Sequence, residues 1–146
     1  MIVHRFMSDL EYQLLMKSKP LKNTTVHASK GRRSTSVGFC FFTEPPEEAI
    51  HWLSFNVDTD RCVTFDIPEQ LLTKSRAHYR DPEHDSFDHP ASIWRTEWCL
   101  QEYSLRTVRI IKATDKYANY AENMVNKIIK EVPGIGLLLL ARMSQK

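Results

Sequence analysis

The sequence is poor in the features that identify several protein classes. It contains only three cysteines, Cys40, Cys62 and Cys99, and no two of them form a Cys-x-x-Cys pair. A disulfide framework or a zinc knuckle is therefore not expected. Each cysteine lies inside an apolar run, which is typical of buried thiols in a reducing compartment. The net charge of +2 is too small to indicate nucleic-acid binding by itself.

Long apolar runs are also absent. The stretch at 135–141 is far shorter than the roughly 20 residues that a membrane-spanning helix needs. His4, Arg5, Asp9 and Glu11 interrupt the first segment, which therefore lacks the pattern of a signal peptide. These observations predict a cytoplasmic protein that does not act at a membrane.

The composition is that of an ordinary globular domain. The chain has 146 residues, of which 42% are hydrophobic and 26% are charged. This length is enough to bury a core without disulfides or metals, and there are no internal repeats or low-complexity segments. We expect a single domain that spans residues 1–146.

The local patterns predict a mixture of strands and helices. Ser8, with Glu11 three positions later, predicts the capping box of a first helix. Strands outnumber helices and do not alternate with them regularly, which favours an α+β fold with split, mainly antiparallel β-sheets and flanking helices. Trp52, Trp94 and Trp98 are expected in the core. Strands are predicted at 2–6, 37–43, 61–67, 94–100 and 107–112, helices at 9–18, 47–55 and 117–132, a helical turn after Pro68, loops at 22–33 and 74–92, and either a strand or a helix at 135–143.

Three polar sites each lie beside a short apolar run. They are Arg5 in the first run, the triplet Ser34, Thr35 and Ser36 before the second, and Glu97 at the start of a later one. Strand edges can hold a cation, small hydroxyls and a carboxylate rigidly around one polyphosphate ligand. The order of these sites therefore predicts an enzyme that uses NAD.

With these sites in this order, the chain resembles the ADP-ribosyltransferase superfamily, in its toxin-like branch with an arginine, a Ser-Thr-Ser and a glutamate motif. The segments Phe-Cys-Phe-Phe-Thr at 39–43 and Cys-Val-Thr-Phe-Asp-Ile at 62–67 are similar to the strands that follow the Ser-Thr-Ser in that family. The resemblance spans about three quarters of the chain. It implies an ADP-ribosyltransferase-like fold and transfer of ADP-ribose from NAD to a protein or a nucleic acid.

The resemblance also assigns roles to residues. Glu97 would be the catalytic glutamate, which binds the ribose next to nicotinamide and stabilises positive charge while the glycosidic bond breaks. Arg5 would pair with the diphosphate, and Ser34, Thr35 and Ser36 would orient the ribose and the glutamate. No metal is implied, although histidines and carboxylates in the loop at 74–92 could ligate one.

Several alternatives remain open. His4 adjoins Arg5, and only one of the two side chains can face the cleft, because side chains alternate along a strand. Glu102 is a rival carboxylate. Arg95 stands where arginine-modifying members carry glutamate or glutamine, so arginine is not the implied acceptor. The resemblance implies a toxin or phage-conflict effector that has an antitoxin or inhibitor as its partner. One alternative function is a non-catalytic binding protein or inhibitor of the same fold. The other is an NAD-dependent RNA 2′-phosphotransferase-like enzyme.

Overall fold

The computed structural model describes residues 1–23, 32–34, 38–54, 57–79 and 93–131, with the backbone alone given at 32–34, 78–79 and 93. Nine strands and three helices lie in this part of the chain, together with a 3-10 turn at Glu69–Leu71. The strands are β1 (Ile2–Met7), β2 (Leu21–Lys22), β3 (Arg32–Ser34), β4 (Phe39–Phe41), β5 (Arg61–Asp66), β6 (Thr73–Tyr79), β7 (Ile93–Leu100), β8 (Glu102–Tyr103) and β9 (Arg109–Thr114), and the helices are α1 (Asp9–Met16), α2 (Pro46–Leu53) and α3 (Tyr120–Glu131).

The described strands form three antiparallel sheets. One has the order β1-β5-β9, a second has the order β3-β6-β7-β4, and β2 pairs with β8 alone. Every one of these pairings is antiparallel, and the helices flank the sheets, so the α+β class with antiparallel sheets is confirmed.

The two larger sheets meet where β1 passes the end of β4. His4 and Phe42 exchange backbone hydrogen bonds of 2.8 and 2.9 Å. Below this bridge, alternate side chains of β1 and β5 point into one apolar cluster, as the period of two requires. Its buried members are Val3, Met7, Leu15, Phe39, Phe41, Val63, Phe65, Ile67, Leu100, Tyr103 and Val108.

The opposite face of β1 is covered by helix α2. Pro46 opens this helix, a position where its missing N–H costs nothing. Ile50 and Leu53 of α2 pack against Phe6 of β1 and Tyr117 in a second buried cluster. In the described part of the chain no helix is both long and apolar enough to cross a membrane.

The structure corrects three of the predictions from sequence. The prediction of a loop at 22–33 is wrong at both ends, because Lys22 belongs to β2 and Arg32 and Arg33 belong to β3. The prediction of a loop at 74–92 is wrong for the first part of that range, because Thr73–Tyr79 forms β6 between β3 and β7. Trp94 is not in the core, since 54% of it is exposed. The prediction for 135–143 lies outside the described residues.

Candidate functional site

Arg5 is the first of the predicted residues, and strand β1 places it at the junction of the two larger sheets. Its Nε and Nη2 donate hydrogen bonds of 2.7 and 2.8 Å to the two carboxylate oxygens of Glu11. Its Nη1 donates a third, of 2.9 Å, to the carbonyl oxygen of Cys40 on β4. Arg5 therefore connects β1 to both α1 and β4.

Tyr103 completes this arrangement. Its hydroxyl donates a 2.7 Å hydrogen bond to Oε2 of Glu11, and its ring is fully buried. Burial raises the pKa of the phenol above its usual range; the Arg5 cation opposes this shift, and the Glu11 carboxylate adds to it. Burial disfavours the Arg5 charge, but the neighbouring Glu11 carboxylate outweighs it and raises the pKa of the guanidinium. Arg5 remains a cation and Tyr103 a neutral donor at any physiological pH.

Glu97 lies on β7 and is only 3% exposed. It lines a cavity of about 40 Å³ together with Arg5, and apolar side chains from β1, β4 and α2 form the rest of the wall. Buried carboxylates are rare unless they have a partner or a function. The structure thus brings Arg5 and Glu97, which are far apart in the sequence, to one small cavity.

Two cysteines lie beside Glu97. Cys40 of β4 stands directly opposite Cys99 of β7, and their Sγ atoms are 3.0 Å apart. The carboxylate of Glu97 and these two sulfurs all lie within 4.8 Å of one another. Cys99 is 4% exposed, whereas Cys40 is only partly buried and lines the cavity. The candidate site therefore contains two thiols as well as a cation and a carboxylate.

Arg95 is on the same face of β7 as Glu97, two residues before it. Its guanidinium carbon lies 4.2 Å from the ring centroid of Trp52 on α2, a close cation–π contact. Its buried Nε has no hydrogen-bond partner among the described residues. A second cation thus lies next to Glu97 and is oriented by an aromatic ring.

His4 points elsewhere, as strand alternation requires. Its Nδ1 is 2.8 Å from Oγ1 of Thr64, and its ring packs against Phe42. Burial lowers the pKa of His4, and Glu47 and Glu44 oppose that shift in part. Arg5, and not His4, lines the cavity that contains Glu97.

The serine triplet is described only at its first residue. Ser34 ends β3 in register with Ala77 of β6, and Ala77 in turn faces Arg95 of β7. Ser34 therefore lies in the same sheet as Glu97, two strands away. Thr35 and Ser36 lie outside the described residues, and so do His84 and His89 of the loop predicted at 74–92.

Other features of the structure do not join this site. Glu102, the rival carboxylate, is exposed on β8, where it lies 3.9 Å from Lys22. A larger cavity of about 800 Å³ lies between α1, the end of β5 and the turn before β9. Two of its three charged residues bind each other, since Nη2 of Arg109 donates a 3.0 Å hydrogen bond to Oδ2 of Asp66. Size alone does not make that cavity the better candidate, because none of the predicted site residues lines it.

The sequence did not indicate the role of four residues of the site, namely Glu11, Tyr103, Cys40 and Cys99. Glu11 was assigned to a capping box, and the Ser8 half of that motif is present, since Ser8 Oγ accepts from the Glu11 N–H at 3.1 Å. The Glu11 carboxylate, however, binds Arg5 and Tyr103. Neither Tyr103 nor the juxtaposition of Cys40 with Cys99 has a local signal, because each depends on which strands become neighbours.

The site cannot be interpreted through relatives. No protein-family model matches the chain, and neither a curated protein nor a solved structure matches it. The chemistry of the residues around the cavity is therefore the basis for assigning a function.

Proposed function

We propose that this protein is an NAD-dependent mono-ADP-ribosyltransferase that modifies a macromolecular acceptor. The observation that supports the proposal best is that Glu97, a buried carboxylate, shares one cavity with Arg5 at the junction of two sheets. This pairing of a cation with a carboxylate agrees with the order of Arg5, the serine triplet and Glu97 in the sequence. That order predicts NAD as the ligand.

Glu97 would supply the chemical step. When NAD loses nicotinamide, positive charge develops on the ribose, and a fixed carboxylate stabilises that charge most strongly where water is excluded. The low exposure of Glu97 meets this condition. In this proposal its carboxylate accepts a hydrogen bond from a ribose hydroxyl and lies next to the developing cation.

Arg5 would bind the diphosphate of NAD. Among the described residues, Glu11 and Cys40 accept hydrogen bonds from three of the five N–H groups of the guanidinium, and in this proposal the diphosphate accepts from the terminal nitrogens. Glu11 neutralises part of the charge but also fixes the orientation of the planar group, which favours two-point recognition of phosphate oxygens. This donor set fits a dinucleotide.

The size of the cavity sets how NAD would bind. A volume of about 40 Å³ holds no more than a few water molecules. Most of the dinucleotide would therefore lie outside the cavity, and one edge of a ribose would reach Glu97. The acceptor, protein or nucleic acid, would approach from the same side, near Arg95, and an inhibitor or antitoxin that covered this opening would block the reaction.

The test compares the purified wild type with Glu97→Gln and, as a matched control, Glu102→Gln. Each protein is incubated with labelled NAD and a cell lysate, and both released nicotinamide and label on protein or nucleic acid are measured. We expect Glu97→Gln to lose at least a hundredfold in rate. Glu102→Gln should retain the wild-type rate, because Glu102 is exposed and outside the cavity.

The same assay distinguishes the rival functions. Equal rates for wild type and Glu97→Gln would contradict the proposed role of Glu97. If no nicotinamide is released, no label is transferred and calorimetry detects no NAD binding, the protein is a binding module and not an enzyme. Removal of a phosphate from a 2′-phosphorylated RNA would instead identify the phosphotransferase.

A further inference from the structure

The proposed transferase reaction does not use the two thiols beside the cavity. We propose that Cys40 and Cys99 are a site of oxidative modification, at which a small peroxide converts the two thiols into a disulfide between β4 and β7. The inference does not depend on the proposed function.

The backbone already has the geometry of a disulfide. Cys40 and Cys99 are direct partners in the antiparallel pairing of β4 with β7. Such partners have Cα atoms about 4.5–5.5 Å apart, which lies within the range of about 4.4–6.8 Å found across disulfides. The sulfurs are 3.0 Å apart, so each must move by about 0.5 Å to reach a bond of about 2.05 Å. Small rotations of the two side chains are enough, and the strands do not need to separate.

The two thiols differ in exposure, and the small cavity beside them limits the size of the oxidant that can reach them. Cys40 lines the cavity and is only partly buried, whereas Cys99 is 4% exposed. A cavity of about 40 Å³ admits a molecule close to water in size, such as hydrogen peroxide, but excludes a tripeptide disulfide such as oxidised glutathione. Cys40 is therefore the thiol that reacts first, and Cys99 is the thiol that resolves the product.

The reaction balances in two steps. The Cys40 thiolate attacks one oxygen of hydrogen peroxide, the O–O bond breaks, and the released hydroxide takes up the thiol proton to form water, which leaves Cys40 as a sulfenic acid. Sγ of Cys99 then attacks Sγ of Cys40, the S–S bond forms and the S–O bond breaks, and the departing hydroxide takes up the Cys99 thiol proton and leaves as a second water. Two thiols are oxidised by two electrons, and one peroxide is reduced to two waters.

A metal site is the competing interpretation of the same atoms, since Glu97 completes a set of three potential ligands. Two sulfurs bound to one tetrahedral zinc ion at about 2.3 Å are about 3.8 Å apart. The observed 3.0 Å is shorter, so the two side chains would have to rotate away from each other to admit the ion. The geometry favours a bond between the sulfurs.

The proposed disulfide lies next to Glu97, the proposed catalytic residue, and to Arg5, the proposed diphosphate ligand. The carbonyl of Cys40 accepts the Arg5 hydrogen bond, and Cys99 is two residues from Glu97 on the same face of β7. A disulfide here would join the strand that anchors Arg5 to the strand that carries Glu97.

The test uses the reduced full chain, treated in its folded state with one equivalent of hydrogen peroxide. We expect the protein to lose the mass of two hydrogen atoms, its titratable thiols to fall from three to one, and peptide mapping under non-reducing conditions to find Cys40 joined to Cys99. Cys62→Ser is the matched control and should behave like the wild type, because Cys62 lies on β5. In Cys99→Ser the reaction should stop at the sulfenic acid on Cys40, which dimedone captures when it is added together with denaturant after the peroxide.

Peptide mapping of the wild type decides the matter even if a variant fails to fold. A disulfide that involves Cys62, or three intact thiols after peroxide, would overturn the proposal. So would the tight binding of one zinc ion that protects both thiols from peroxide and is lost in Glu97→Gln, because the pair would then be a metal site.

Discussion

Glu11 binds Arg5 through both of its carboxylate oxygens, with Nε to Oε2 at 2.7 Å and Nη2 to Oε1 at 2.8 Å. The two side chains are only 15% and 17% exposed. The pair fixes the first helix to the strand that precedes it and orients the guanidinium toward β4. Arg5, which the sequence predicts as a ligand for NAD, therefore also holds α1 and β4 in place.

Replacing Glu11 with alanine should destabilise the protein by about 3 kcal/mol, since the partly buried Arg5 charge would lose its partner. Urea denaturation measures the change. The matched control is Glu102→Ala at the exposed pair with Lys22, where 3.9 Å separates the charged atoms and a loss below about 1 kcal/mol is expected. Equal losses in the two variants would mean that the pair of Glu11 with Arg5 contributes no more to the free energy of unfolding than an exposed ion pair.

The variant Tyr103→Phe removes one hydroxyl and almost no volume. Because that hydroxyl donates to the Glu11 carboxylate at 2.7 Å, we expect a loss of about 2 kcal/mol. Denaturation of this variant alone and combined with Glu11→Ala forms a double-mutant cycle. The two losses should not add, and additive losses would show that the hydroxyl and the carboxylate act independently.

Gly38, which precedes β4, cannot accept a side chain. Its φ is +105°, and a Cβ there would lie 2.1 Å from the carbonyl oxygen of Leu100. Gly38→Ala should cost more than about 3 kcal/mol, because backbone strain and a clash with backbone atoms act together. The soluble yield and the urea midpoint test this, with Lys112→Ala on the exposed face of β9 as the control. A Gly38→Ala protein as stable as that control would contradict the described approach of β4 to β7.

The free energy of unfolding should fall at alkaline pH because of Cys62. Burial raises the pKa of its thiol from 9.0 to about 12 in the folded chain. Between these values the unfolded thiol ionises and the folded one does not, so its contribution to stability is complete below pH 9 and declines as the pH rises toward 12. The expected slope is about 1.4 kcal/mol per pH unit. Urea titrations at pH 8, 9 and 10 should show a smaller decline in Cys62→Ala than in the wild type, and parallel curves would refute the assignment.

Much of the secondary structure follows from local sequence. Strand β1, the helix that Ser8 caps and the 3-10 turn after Pro68 lie where apolar spacing, capping and proline predict them. In each case the signal is within a few residues of the element that it specifies. Local sterics and hydrogen bonds favour these conformations, and pairing with β5 completes β1.

Strand β6 shows why the rest could not be predicted. Its sequence is polar, and it forms a strand because β3 and β7 provide hydrogen-bonding partners on both sides. The same pairing explains the exposed Trp94. The Arg76 guanidinium lies 5.3 Å from its ring on the outer face of the sheet, so the tryptophan packs under a cation and not in the core.

The sequence by itself determined which chemical groups the protein has and the order in which they occur, namely Arg5 on a first strand, a serine triplet and Glu97 on a late strand. Only the tertiary structure decided that Arg5 and not His4 lines the cavity with Glu97, that Glu11 and Tyr103 hold Arg5, and that Cys40 meets Cys99. The physical reason is that strand pairing brings together residues distant in sequence, and its register depends on the whole core.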